Sequence, residues 1–313
     1  MAKKKDIIGL DLGHSVVKLV EYSSKKKQVT TIAKLFLEST EWDNEISLSS
    51  KLQAWMEEKK QAAAPEVVSS ISARHAIIKP VFVARDEKNI SDAIRFEMEH
   101  YLSSPLEDFA FSWQTLADSK TQNQKILVAA YRKSEINRYK ALIHNRNLPL
   151  TVLDIDVFAA FNAFITNYPE YANGLQYIIK ADLDLISGIY CQDGQFHDTH
   201  NIPLPDSFIT AEDKERGHII SETCQQIKTL YENGLKSFED SPANQKFIIC
   251  GDLATDEEFA QALDAVMPLE MEKLNAFKEV EFPHDPEYAD KVLETAPQCA
   301  TALGLALRYK GDG

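Results

Sequence analysis

Ile7-Ile8-Gly9-Leu10-Asp11-Leu12-Gly13-His14-Ser15-Val16-Val17-Lys18-Leu19-Val20-Glu21 sets two runs of aliphatic, largely β-branched residues on either side of an Asp-x-Gly-x-Ser segment. Such runs fit a pleated, buried surface, and Gly13 permits a tight reversal. The stretch therefore predicts a buried strand, a turn and a second, antiparallel strand. Its tip carries chemistry. Backbone N–H groups around Gly13, the Ser15 hydroxyl and the Lys18 ammonium are the parts that hold a phosphate, and Asp11 can hold a hydrated metal ion. The same residues equally suit a hairpin in which Asp11 and Ser15 only cap the turn.

Outward from this hairpin, residues 29–37 alternate as a third strand, and residues 38–66 are helix-prone around Leu48, Leu52, Trp55 and Met56. Residues 67–71 and 76–83 predict two strands, with Pro80 marking an edge. A helix from Asn89 places Ala93, Ile94, Met98, Tyr101 and Leu102 on one side. Phe109, Phe111 and Trp113 then alternate on one strand face, which serves as core or, if exposed, as a docking groove. Residues 125–131 suit a strand buried on both faces, and Ser134 is a candidate cap for a helix carrying Ile136, Tyr139, Leu142 and Ile143. A strand at 151–155, a helix at 157–165 headed by Asp156, and a polar turn at 169–174 complete a first unit.

The pattern then repeats. Residues 176–182, 185–191 and 195–203 form a second three-strand meander, and Thr210-Ala211-Glu212-Asp213 resembles a capping box opening a long helix. A strand at 246–250, the exit Gly251-Asp252, a helix at 256–267, an acidic irregular stretch at 268–296 and a last helix at 297–309 follow. Each half is expected to run strand, strand, strand, helix, strand, helix, with about 75 residues inserted in the first half after its third strand. The expected units are residues 1–168 with an inserted subdomain at about 38–113, residues 172–296, and a final helix at 297–313 that returns to the first half. Two such halves bring two hairpin tips to one cleft, Asp11, Gly13 and Ser15 opposing Asp182 and Asp184.

Composition narrows the partners. The 313 residues carry 34 Lys and Arg against 48 Asp and Glu, a net charge of -14, which disfavours nucleic acid or anionic lipid as a partner of the whole surface. Lys3-Lys4-Lys5 and Lys25-Lys26-Lys27 are short basic runs, expected as a solvated terminus and a hairpin turn. Cys191, Cys224, Cys250 and Cys299 are widely spaced, three of them within apolar runs, as small core residues of a reducing compartment are. No apolar run approaches the roughly 20 residues of a spanning helix, so a soluble, cytoplasmic chain is expected.

With Asp11-Leu12-Gly13-His14-Ser15-Val16-Val17-Lys18, this α/β layout resembles the actin-like ATPase superfamily, whose halves are ribonuclease-H-like. More narrowly it is similar to the type IV pilus assembly protein PilM family. Arg95-Phe96-Glu97-Met98-Glu99-His100-Tyr101 leading to Pro105-Leu106-Glu107-Asp108 carries that similarity, with Val128-Ala129-Ala130-Tyr131-Arg132-Lys133, Val152-Leu153-Asp154-Ile155-Asp156 and Gly304-Leu305-Ala306-Leu307-Arg308. The resemblance implies a cytoplasmic scaffold, peripheral to the inner membrane, that binds the cytoplasmic tail of a PilN-like protein in a groove beside the inserted subdomain, here around Phe109, Phe111 and Trp113. It implies phosphate and metal contacts at Asp11, Gly13, Ser15 and Lys18, with Asp182 and Gly251 on the opposite lip.

The opposite lip departs from that pattern. Asp182-Leu183-Asp184 stands where the family has Asp-x-Gly, Cys250-Gly251-Asp252 keeps one of two expected glycines, and the second lobe is truncated before the long helix. A second carboxylate repels phosphate, and without glycine the backbone cannot approach it. The expectation is an adaptor of a type IV pilus or related secretion assembly with a degenerate nucleotide site, no cofactor and no ATPase activity, comparable to reduced relatives such as MshI and the cytoplasmic part of the type II secretion L protein. The alternative is an ATP-binding switch or ATPase of the same assembly, using ATP with magnesium.

Overall fold

The computed structural model describes residues 6–116, 123–238, 245–281 and 292–308. β1 (Ile7–Leu12), β2 (Val16–Ser23) and β3 (Gln28–Phe36) form the first meander, followed by α1 (Glu45–Lys59) and β4 (Glu66–Ile71). β5 (Ile77–Ala84), α2 (Ile90–Glu99), β6 (Phe109–Thr115) and β7 (Asn123–Arg132) come next, then α3 (Lys133–Ile143), β8 (Leu150–Ile155) and α4 (Asp156–Asn167). The remainder is β9 (Leu175–Ala181), β10 (Leu185–Gln192), β11 (Gln195–Pro203), α5 (Asp213–Leu235), β12 (Lys246–Cys250), α6 (Glu257–Val266) and β13 (Met271–Lys273). A helix near the end of the chain, α7, spans Ala300–Leu307.

The duplication is visible in the sheets. One has strand order β3-β2-β1-β4-β8 and the other β11-β10-β9-β12-β13, each a meander continued by parallel strands. β1, β2, β9 and β10 are buried almost throughout, as near-continuous aliphatic strands covered on both faces must be. α1 and α3 cover the outer face of the first sheet through Leu48, Leu52, Met56, Leu142 and Ile143. The outer face of the second sheet is covered by α5 and α6 through Ile220, Ile227, Tyr231, Phe259 and Leu263. Between the sheets lie α4 and α7, whose Phe161, Phe164, Leu303 and Leu307 share one apolar cluster with Val20 of the first sheet and Ile178 and Ile248 of the second. This shared core joins the halves.

Three expectations are corrected. α1 and β4, assigned by sequence to an insertion at about 38–113, pack as part of the first half, with β4 hydrogen-bonded beside β1. The separate piece is the three-stranded sheet β5-β7-β6 with α2 on one face, built on Val81, Ile94, Met98, Phe109 and Val128. Pro80 does lie on an edge strand of it. Ser134 and Thr210 do not cap: α3 starts after Arg132 and α5 after Glu212, neither with a side-chain cap. Tyr101, expected on the apolar side of α2, is 49% exposed, because α2 ends at Glu99 before that side completes another turn. All four cysteines are buried and free. The run Lys3-Lys4-Lys5 and the part of the final helix beyond Arg308 lie outside the described residues.

α7 approaches its neighbours at backbone distance. A Cβ on Gly9 would lie 1.9 Å from the Ala302 carbonyl oxygen, and one on Gly304 1.8 Å from that of Ala159 in α4. Neither carbonyl can retreat without moving its helix. Gly304→Val is therefore expected to destabilise the protein by about 3 kcal/mol, seen as a lower urea midpoint at unchanged slope. Gly217→Ala, which meets only the end of the Glu258 side chain at 3.1 Å, should be neutral or stabilising by roughly 0.5 kcal/mol in the same assay.

Candidate functional site

The hairpin tips meet as the duplication requires. At the first, Asp11 faces Lys18 across the β1–β2 register, and the Trp42 indole donates to the His14 carbonyl oxygen at 2.7 Å while stacking against the His14 ring at 5.2 Å. At the second, the Asp182 N–H donates to the Leu185 carbonyl oxygen at 3.0 Å and the Leu204 N–H to that of Asp184 at 2.9 Å. Between them lies a cleft of about 360 Å³ bordered by Asp11, Gly13, His14, Asp182 and Asp184, with Ser70, Asp156 and Lys180 at its floor and Arg74, Glu135, Arg138 and Tyr139 on its walls.

Two lysines sit in this region, and neither is free. Lys18 is 1% exposed; its Nζ lies 2.9 Å from Asp252 Oδ1, 3.5 Å from Asp11 Oδ2 and 3.7 Å from Asp182 Oδ1. Lys180 donates to Asp156 Oδ2 at 2.8 Å and to Asp182 Oδ2. Asp156 Oδ1 accepts from the backbone N–H groups of Ala73 and Val157, both at 2.8 Å, Ser70 donates to Asp11 Oδ1 at 3.3 Å, and the Asp252 N–H donates to Asp182 Oδ1 at 3.2 Å. Lys18 belongs to the first half and its nearest carboxylate to the second; Lys180 belongs to the second and its partner Asp156 to the first. A buried ammonium is tolerable only when neutralised and hydrogen-bonded, and here each is.

The protonation equilibria follow from this packing. Burial acts to lower both lysines, but the carboxylates, Asp252 foremost for Lys18 and Asp156 for Lys180, overcome it and hold both well above the ordinary range. Asp182 is held well below its usual range because Lys180 and Lys18 outweigh its burial. Asp11 is pushed up to about 6 by burial, with Lys18 and Lys180 opposing. Burial likewise raises Asp252 and Asp184, the latter helped by the Asp182 charge.

Of the residues singled out from sequence, Asp11, Gly13 and Asp182 border the cleft, while Ser15 and Lys18 do not. Gly251 has φ 95°, its N–H donates to the Pro297 carbonyl oxygen at 3.0 Å, and a Cβ there would lie 2.5 Å from the Ala181 carbonyl oxygen. Its glycine is required by the backbone. The carboxylates that a hydrated cation would need, Asp11, Asp156 and Asp182, are turned to Lys18 and Lys180, and Asp252 stands beside Gly251 as the counter-ion of Lys18. The aromatic stripe divides. Phe109 is buried against α2, Phe111 carries the Arg95 guanidinium 5.5 Å from its ring centre, and Trp113 is 44% exposed. Sequence reasoning missed Lys180 and Asp156 as partners, although a lysine inside the apolar run Tyr177-Ile178-Ile179-Lys180-Ala181 is a visible signal. Phe96, 64% exposed on α2, was also missed.

A second recess, about 340 Å³, lies between the inserted sheet and α3. It is bordered by His75, Ile77, Ser103, Phe109, Arg132, Glu135 and Arg138, so His75, Glu135 and Arg138 form a wall common to groove and cleft. Arg138 is already neutralised there, with Nε 2.6 Å from Glu45 and a guanidinium nitrogen 3.6 Å from Glu135.

The family profile described as type IV pilus assembly protein PilM matches residues 9–179. No curated protein sequence matches the chain. Among solved structures, the PilM–PilN type IV pilus biogenesis complex aligns with TM-score 0.84 at 19% identity over 96% of this chain and 98% of that one. The ethanolamine utilization protein EutJ from Carboxydothermus hydrogenoformans aligns with TM-score 0.52 at 11% identity, covering 98% and 90% of the respective chains. A Bacteroides thetaiotaomicron protein with an actin-like ATPase fold gives 0.51 at 10%, covering 87% and 91%. The fold is therefore actin-like.

Two outcomes are expected of the buried network. Lys18→Met, which strips the cation from Asp252, should cost about 3–5 kcal/mol in urea unfolding. Because Asp11 is raised from 3.8 to about 6, the folded state binds a proton that the unfolded state releases, and the associated stability is lost as pH rises through that window. The melting temperature of Asp11→Asn minus that of the parent should accordingly grow between about pH 4 and about pH 6 and then level off. A pH-independent difference would contradict the assignment.

Proposed function

The chain belongs to the type IV pilus assembly protein PilM family, and from that premise we propose that it is a cytoplasmic scaffold and adaptor of a type IV pilus or related secretion assembly. It captures the cytoplasmic tail of a PilN-like inner-membrane protein in the groove between the inserted sheet and α3, and does so without nucleotide. The observation that carries the second part is the pairing in and beneath the cleft: Lys18 and Lys180 are already held by Asp11, Asp156, Asp182 and Asp252. A triphosphate drawing on either lysine would have to break these pairs, and it would face the carboxylate of Asp184 instead of a glycine N–H.

The groove supports the first part. Ile77 and Phe109 offer apolar surface and Arg132 a polar anchor, the combination that fixes the register of an extended segment. The residues that do this are mostly not the stripe named from sequence, of which Phe109 alone borders the recess. Among the described residues no helix is long and apolar enough to cross a membrane.

One observation favours an ATP-dependent switch instead: Asp11, Gly13 and Ser70 border an open volume of about 360 Å³. Thermal shift with ATP and magnesium separates the two. No saturable stabilisation is expected; a saturable rise in melting temperature that Asp11→Ala abolishes would establish the switch. The adaptor is checked separately by co-purification with the organism's own PilN-like protein, expected with the full-length partner and lost when its cytoplasmic tail is removed.

A further inference from the structure

Arg132, the last residue of β7, is the feature of the groove that its neighbours leave unfinished. One guanidinium nitrogen donates to Ser104 Oγ at 2.8 Å and reaches Ser103 Oγ at 3.4 Å, and the guanidinium carbon sits 5.1 Å from the centre of the Phe109 ring. Two hydroxyls and an aromatic face thus fix its orientation without neutralising it. Among the described residues no carboxylate lies within 4 Å of it, although the chain carries 48 acidic residues against 34 basic ones. Glu135, the carboxylate bordering the groove, is engaged by Arg138. An arginine has five N–H donors in a planar fork, and the hydroxyls account for few of them.

We propose that Arg132 is a specificity-determining residue that reads a carboxylate on the bound segment. The occupant is a linear peptide in which an Asp or Glu side chain lies next to an apolar one, the apolar group seated on Ile77 and Phe109 and the carboxylate on the guanidinium. The proposal rests on the adaptor reading of the groove and adds to it the chemistry of the tail. Charge complementarity carries it: an oriented, unneutralised guanidinium in a concave, half-apolar recess is completed by an anion and by nothing else the groove contains. Preorganisation by Ser103, Ser104 and Phe109 lowers the conformational cost of forming that contact.

The test is selection of a phage-displayed library of linear 12-residue peptides on the full chain, on Arg132→Met and on a Ser103→Ala, Ser104→Ala double variant. The parent should enrich peptides with Asp or Glu within three positions of a large apolar residue. Arg132→Met should keep the apolar preference and lose the acidic one, and the serine variant, which retains the charge but not its orientation, should weaken it. For a peptide selected on the parent, replacing its Asp by Asn should weaken binding roughly tenfold to a hundredfold by fluorescence polarisation, a comparison that needs no protein variant. Enrichment without acidic residues, or an Asn peptide that binds as well as the Asp one, overturns the role of Arg132 and leaves the adaptor reading standing. Failure of the parent to enrich any sequence overturns both.

Discussion

Two ammonium groups buried between two halves of a duplicated chain must be neutralised where they stand, and each takes a carboxylate from the other half: Lys18 from Asp252, Lys180 from Asp156. This reciprocity ties the halves together beside the cleft. Breaking either contact strands a charge in a poorly solvated place, which is far more costly than never having made it. The apolar cluster shared through α4 and α7 closes the same junction from the inner side. Charge and packing therefore act on one seam from two directions.

Beside that seam, among the described residues, two recesses share one wall. α3 contributes Glu135 and Arg138 to both, and His75 closes the wall from the turn before β5. The cleft is dominated by carboxylates, the groove by guanidinium and aromatic surface. Arg138, paired with Glu45 and Glu135 and lying 5.9 Å from the centre of the Trp42 ring, separates the two environments.

Much of the fold was legible because its signals are local. Aliphatic runs broken by Gly13 and by residues 182–185 mark the two meanders, and the repetition of that order marks the duplication. The extent of the insertion was not legible. β4 is a short aliphatic strand like any other, and only its hydrogen bonds to β1, some sixty residues earlier, assign it to the first half. The site was half legible for the same reason. Asp11 and Asp182 stand at turns that announce themselves, whereas Asp156 and Asp252 owe their roles to lysines on distant strands. The exposure of Phe96 and the burial of Phe109 likewise depend on where α2 lies across its sheet, which side-chain periodicity on one strand does not encode.

The close seating of α7 on Gly9 and Ala159 has a consequence for how the protein is made. The helix that packs on β1 is translated after both sheets. Until then the face of β1 around Gly9 lacks this helix, and its aliphatic neighbours stay available to other chains. The first sheet, although translated before the second, should accordingly complete its packing only once α7 has been made.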